Sequence, residues 1–134
     1  MGKINGVPAH ETTVNECRQY VDRRVPFHTT NKQLFGYWCD SGVYAVFSYG
    51  QHWPLFVYEP KTTSWFANED KYGTTTSKHY GKAHPFATPV TSLSCTAMKH
   101  LVAGGYEQLA KWRITDNDME QHAELMAGLR GEAA

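Results

Sequence analysis

Residues 71 to 85, KYGTTTSKHYGKAHP, gather most of the side chains in this chain that could do chemistry. Three chemistries fit the residue types. The first is anion binding. Thr74, Thr75, Thr76 and Ser77 can donate hydrogen bonds while Lys78 and Lys82 supply charge, and a helical turn opening at Thr76 or Ser77 would add free backbone N–H groups. The G-x-x-x-x-G-K-[ST] order of a phosphate-binding loop is absent. The plain alternative is an edge strand that Lys78 protects from unwanted pairing.

The second is metal binding. His79 and His84, with Cys95 and His100, form a loose two-plus-two set. Structural zinc spacings are tighter and use paired cysteines. On a helix, moreover, residues five apart diverge by about 140°, so Cys95 and His100 would not meet on one ion. No metal and no cofactor is expected. The third is catalysis, with Ser77 or Lys78 beside His79 as nucleophile and base. On a strand, Ser77 and His79 share a face and Lys78 does not. No G-x-S-x-G elbow is present, and only Glu69 or Asp70 could orient His79. The segment therefore reads better as a contact surface than as a reaction centre.

The elements that must position this stretch are legible on both sides of it. Thr13-Val14-Asn15-Glu16 fits a capping box, and Val14, Cys17 and Val21 follow at helical spacing until Pro26. A helix is expected over 13–24. LFGYWC, VYAVFSY, WPLFVYE and SWFAN are short runs of aromatic and β-branched residues separated by turn residues, which predicts strands. YGTTTSKH is read as a fifth. The meander spans 34–79.

From Thr91 the pattern becomes helical, with Thr91 or Ser92 as cap and Leu93, Ala97, Met98, Leu101 and Val102 as an apolar stripe. Gly104-Gly105 should stop or bend it. A last helix from about Thr115 would bury Met119, Ala123, Met126 and Leu129. The helical segment covers 91–130. Strands followed by helices predict an α+β fold in a single domain over 1–134, with two to three C-terminal helices on one sheet face.

Twelve of the 18 aromatic residues lie between Phe35 and Tyr72. Neither face of the predicted strands is polar. Either both faces are covered, or one is an aromatic surface for bases or a protein partner, to which Tyr44, Tyr49, Trp53 and Tyr58 would contribute.

Lys+Arg and Asp+Glu each total 13, which argues against a protein held to duplex DNA by bulk charge. The chain's middle is mildly basic and residues 115–134 are acidic. No apolar run approaches the roughly 18 residues of a spanning helix, and neither a secretory signal nor a myristoylation pattern is seen at Met1-Gly2. Cys17, Cys39 and Cys95 are expected to be reduced thiols in a cytoplasmic protein.

One combination goes further: Tyr44, Ser48-Tyr49, WF-N at 65–68, KY at 71–72 and TTSKH at 75–79. It resembles small, uncharacterised proteins of bacteriophages and plasmids that carry a Tyr-Ser-Tyr strand before a Lys-Tyr-x-x-Thr-Thr-Ser-Lys-His segment. The similarity covers residues 43 to 79. Gly73 stands where that pattern has serine, and Tyr80 where it often has glutamine. The resemblance implies a mobile-element accessory protein in a bacterial cytoplasm, and singles out Asn68, Lys71, Tyr72, Thr75, Thr76, Ser77, Lys78 and His79. The expectation is a binding protein that holds nucleic acid or a host macromolecule on the aromatic sheet and the Lys71–Lys82 segment. The alternatives are an inhibitor of a host defence or transcription protein, and a nucleotide- or nucleic-acid-processing enzyme using His79. A homodimer is compatible with each.

Overall fold

The computed structural model describes residues 2–4, 7–51, 53–70, 73–86 and 90–129. Its centre is the predicted meander. Strands β4 (Leu34–Trp38), β5 (Tyr44–Ser48), β6 (Pro54–Glu59) and β7 (Ser64–Asn68) follow the four aromatic and β-branched runs. They pair antiparallel, with Trp38 opposite Tyr44, Tyr44 opposite Tyr58 and Tyr58 opposite Trp65. Gly42 makes the first turn at φ 91°, a conformation that suits a residue without Cβ. A register shift between Val46 and Phe47 bends β5 near its end.

The sheet is larger than the expected four to five strands. β1 (Gly2–Ile4) and β2 (Val7–Thr12) form a hairpin, and β2 runs parallel to β3 (Phe27–Thr29). At the other end β8 (Val90–Leu93) runs parallel to β7. Strands β2 to β8 lie side by side in sequence order, with β1 paired outside β2. Each parallel pair needs a crossover. The first is a 3-10 turn over Val14–Glu16 followed by helix α1 (Arg18–Arg23). The second is helix α2 (Thr74–Ala83).

Three expectations change here. The helix read over 13–24 is shorter and split, and the Thr13 hydroxyl makes no cap; Glu16 N–H donates instead to the Thr13 carbonyl. Thr91 and Ser92 lie in β8, so Ser94 caps the next helix by accepting from Ala97 N–H. The hydroxyl-rich segment read as a fifth strand is α2. Its threonines disfavour helix by only tenths of a kcal/mol each, whereas Thr76, His79, Tyr80 and Ala83 fall at helical spacing and pack inward.

The C-terminal helices are one run, α3 (Cys95–Leu129), broken at Gly105 with φ 71° and ψ −162°. The bend expected at Gly104-Gly105 is therefore present. Buried Glu59 holds it in place: its Oε2 accepts from Tyr106 N–H at 3.1 Å and its Oε1 from Lys61 N–H at 2.8 Å. A carboxylate at the start of a helical segment also complements the helix dipole. The expected buried residues Met119, Ala123, Met126 and Leu129 have side chains outside the described ones.

Both sheet faces are covered, which explains why neither is polar. Phe35, Tyr37, Val43, Ala45, Phe47, Val57 and Phe66 pack with Ala97, Met98, Leu101 and Leu109 of α3. Phe27, Leu34, Tyr44, Val46, Leu55, Phe56, Trp65 and Ala67 pack with Cys17, Val21 and Ala83 from the α1–α2 side. The result is a mixed α+β fold in three layers. No helix among the described residues is long and apolar enough to cross a membrane.

Candidate functional site

Helix α2 divides the hydroxyl-lysine-histidine run between two environments. Successive residues turn by about 100°, so neighbours in sequence face different ways. Thr76 and His79 are each 4% exposed, whereas Ser77, Lys78, Gly81 and Lys82 are exposed.

The inner side is a polar lock on β5. His79 Nδ1 lies 2.8 Å from Ser48 Oγ, and the Ser48 hydroxyl is also 3.4 Å from Thr76 Oγ1. Ser48 is fully buried. The Tyr49 ring stacks on the imidazole with centroids 5.5 Å apart. Burial, then the neighbouring Lys78 charge, lowers the His79 pKa, so the ring is neutral near pH 7. Tyr80 packs on Phe56 at 4.8 Å, and His84 stands edge-on to both.

This geometry overturns the proposed catalytic pairing. Ser77 and His79 are two residues apart on a helix and point away from one another. The hydroxyl beside His79 belongs to Ser48, which is fully buried. Asp70 does not orient His79; its Oδ2 accepts from Cys95 N–H at 2.7 Å. The four possible metal ligands are also separated. His79 faces β5, His84 lies on Phe56 and His100 stacks on Trp112, with no cluster of three His, Cys, Asp or Glu among the described residues.

The aromatic surface is corrected too. Tyr44 is fully buried, its hydroxyl donating to the Val25 carbonyl at 2.7 Å. Trp53 and Tyr58 are half-buried against the α1–α2 core, and the Arg24 guanidinium covers the Tyr58 ring at 4.6 Å. Only Tyr49 keeps substantial exposure. Asn68 is buried and structural: its Nδ2 donates to the Pro54 carbonyl and its Oδ1 accepts from Asp70 N–H. Lys71 and Tyr72 lie outside the described residues, as does the Thr75 side chain.

The outer side of α2 is different. Ser77, Lys78, Gly81 and Lys82 form one wall of a groove of about 410 Å³, and Asn15 and Arg18 form the other. Three cations thus meet from two elements, and no carboxylate lines the space. Arg18 is held across the junction: its Nη2 donates to the Gly81 carbonyl at 2.7 Å and its guanidinium lies 4.5 Å over the Phe86 ring. Sequence reasoning missed Asn15, Arg18, Gly81 and Phe86. Nothing in the spacing of Asn15 and Arg18 marks them, because the crossover between β2 and β3 brings them to α2, whereas Gly81 lies in α2 itself and Phe86 just beyond it, neither with a side-chain type that signals a phosphate groove. A second cavity of about 300 Å³ lies at the other flank of α2, between Leu55, Asn68, Glu69, Asp70, Thr76, Ser77 and Tyr80.

No family model, no curated protein and no solved structure matches the chain.

Proposed function

We propose that the chain is a non-catalytic binding protein that holds nucleic acid by its phosphates in the groove between α1 and α2. The observation that carries this reading is the convergence of Arg18, Lys78 and Lys82 on one groove with Ser77 and Asn15 as hydrogen-bond donors and no acidic residue in its lining. The lining of the groove holds no Asp or Glu that could neutralise its three cations there. This narrows the expected surface: the sheet's aromatics build the core, and α2 supplies the contact. The wider setting, an accessory protein of a bacteriophage or similar element in a bacterial cytoplasm, rests on the resemblance of residues 43 to 79.

With net charge zero, the binding is local rather than global. Three phosphate contacts give a slope of log K against log salt of about −2.7 on duplex and about −2 on single strands. Raising salt from about 50 to about 200 mM then weakens binding about 20- to 40-fold. Fluorescence anisotropy with short labelled oligonucleotides at the two salt concentrations measures this. The wild-type chain should bind in the range of about 1–100 µM, and Lys78→Glu with Lys82→Glu should lose most of that affinity and flatten the salt slope. A double variant that binds as tightly as the wild type removes the groove from the site. Capture of one stoichiometric bacterial protein that survives nuclease treatment, with no oligonucleotide binding, would replace this reading by the protein-inhibitor one.

A further inference from the structure

We infer that the groove accepts a single strand rather than a duplex, and that Phe86 is the platform on which one unpaired base stacks. This rests on the nucleic-acid reading above and specifies its substrate. Phe86 is 75% exposed, far more than Trp38, Tyr106 or Tyr49, the other exposed large apolar side chains described. Such a ring contributes little to the core, yet it is fixed in place. Its backbone N–H donates to Asp22 Oδ1 at 2.9 Å, which anchors the backbone at this position. The Arg18 guanidinium supports the ring from one side at 4.5 Å.

Arg18 therefore belongs to both parts of the surface. It lines the groove with Lys78 and Lys82, and it backs Phe86. Its Nε is buried and its Nη2 is used on the Gly81 carbonyl, so what it brings to the groove is chiefly its charge. Cations that track a backbone beside an aromatic ring with an open side are the two components of single-strand recognition. A duplex offers phosphates to the same cations but keeps its base faces inside its own stack, so Phe86 gains nothing from it. A single strand presents both.

Stacking of one base is worth roughly 5- to 150-fold in affinity. The test is anisotropy of the full chain with a short mixed-sequence strand and its blunt duplex, using wild type, Phe86→Ala, Phe86→Tyr and the Lys78→Glu/Lys82→Glu double variant. Wild type should prefer the strand. Phe86→Ala should lose roughly 5- to 150-fold on the strand and nothing on the duplex, and Phe86→Tyr should retain strand binding. The substituted side chain is exposed and the Asp22 contact uses backbone, so folding is not at stake. Equal affinity for the two forms, or a Phe86→Ala loss that is absent or equal on both, overturns the inference; if the lysine variant still weakens both forms, the groove itself stands. Failure of wild type to bind either form ends both readings.

Discussion

Protonation of His79, and removal of its partner Ser48, should each loosen helix α2 in a measurable way. Ser48 is fully buried and its Oγ lies 2.8 Å from His79 Nδ1; Thr76 Oγ1, at 3.4 Å, is a poor substitute. Ser48→Ala removes one hydroxyl and almost no volume. The cost is therefore that of a buried ring nitrogen left unpartnered, about 1–3 kcal/mol. His79→Phe keeps the stack on Tyr49 but strands the Ser48 hydroxyl, for a similar cost. The double variant removes both polar groups, so it should be more stable than the sum of the single losses predicts, by at least about 1 kcal/mol.

The pH dependence has a definite sign. Burial first, and the Lys78 charge second, depress the folded-state pKa of His79 below the usual histidine value of 6.5. Above the unfolded value the neutral ring contributes its full share of stability. As pH falls below it, the unfolded chain takes up a proton that the folded chain refuses. Stability then drops by up to about 1.4 kcal/mol per pH unit until the folded-state pKa is passed. Urea denaturation of wild type, Ser48→Ala, His79→Phe and the double variant, above and below that range, measures both effects. Strict additivity within about 0.5 kcal/mol, or an acid-side slope identical in wild type and His79→Phe, would show that the lock carries no energy.

Three other predictions concern groups outside the Ser48–His79 contact. Gly105→Ala should cost about 1–2 kcal/mol, because φ 71° disfavours a side chain and the added Cβ would meet Glu59 Oε2 at 3.3 Å; Glu59→Gln, which turns a donor toward an existing N–H, should cost about 1–3 kcal/mol, both read from denaturant midpoints. Burial pushes the Cys17 and Cys39 thiols up to about 11, leaving about one in a thousand ionised at pH 8; a thiol-reactive disulfide should modify fully buried Cys17 at the rate of unfolding and half-buried Cys39 sooner but slowly, and prompt reaction of Cys17 in the native chain would contradict its placement.

The legible parts of the sequence were those with local periodicity. β4 to β7 each carry three or more apolar or aromatic residues, and turn residues separate them. The Gly104-Gly105 bend announces itself through glycine alone. β1, β3 and β8 are only three or four residues long, too short to show a pattern of their own, and the parallel pairings of β3 with β2 and of β8 with β7 join segments distant in the chain. For α2, a run of β-branched residues suggested strand, and tertiary packing of Thr76, His79 and Ala83 overrode that weak preference. At the site, Ser77, Lys78 and Lys82 were visible as types but not as one face. The Ser48–His79 contact joins residues 31 apart, and Phe86 is a single exposed ring beside Pro85 with no periodicity to betray it.

The order of residues within α2 then explains how one short run serves both layers. Rotation of the helix by a single position would carry Lys78 into the place of His79. An ammonium would replace a neutral imidazole against buried Ser48 and under Tyr49, with no carboxylate among the described partners of that pocket. Desolvating such a charge costs several kcal/mol, against the few tenths at which helix propensities differ. The buried contact thus fixes the rotation of α2 about its axis, and with it the direction of Lys78, Lys82 and Ser77. A lysine is flexible at its tip, but the groove it lines depends on where its Cα stands. The histidine that looked like a candidate for chemistry is enclosed and kept neutral by burial, and in that state its contact with Ser48 turns the cationic side of the helix outward toward Arg18 and Phe86.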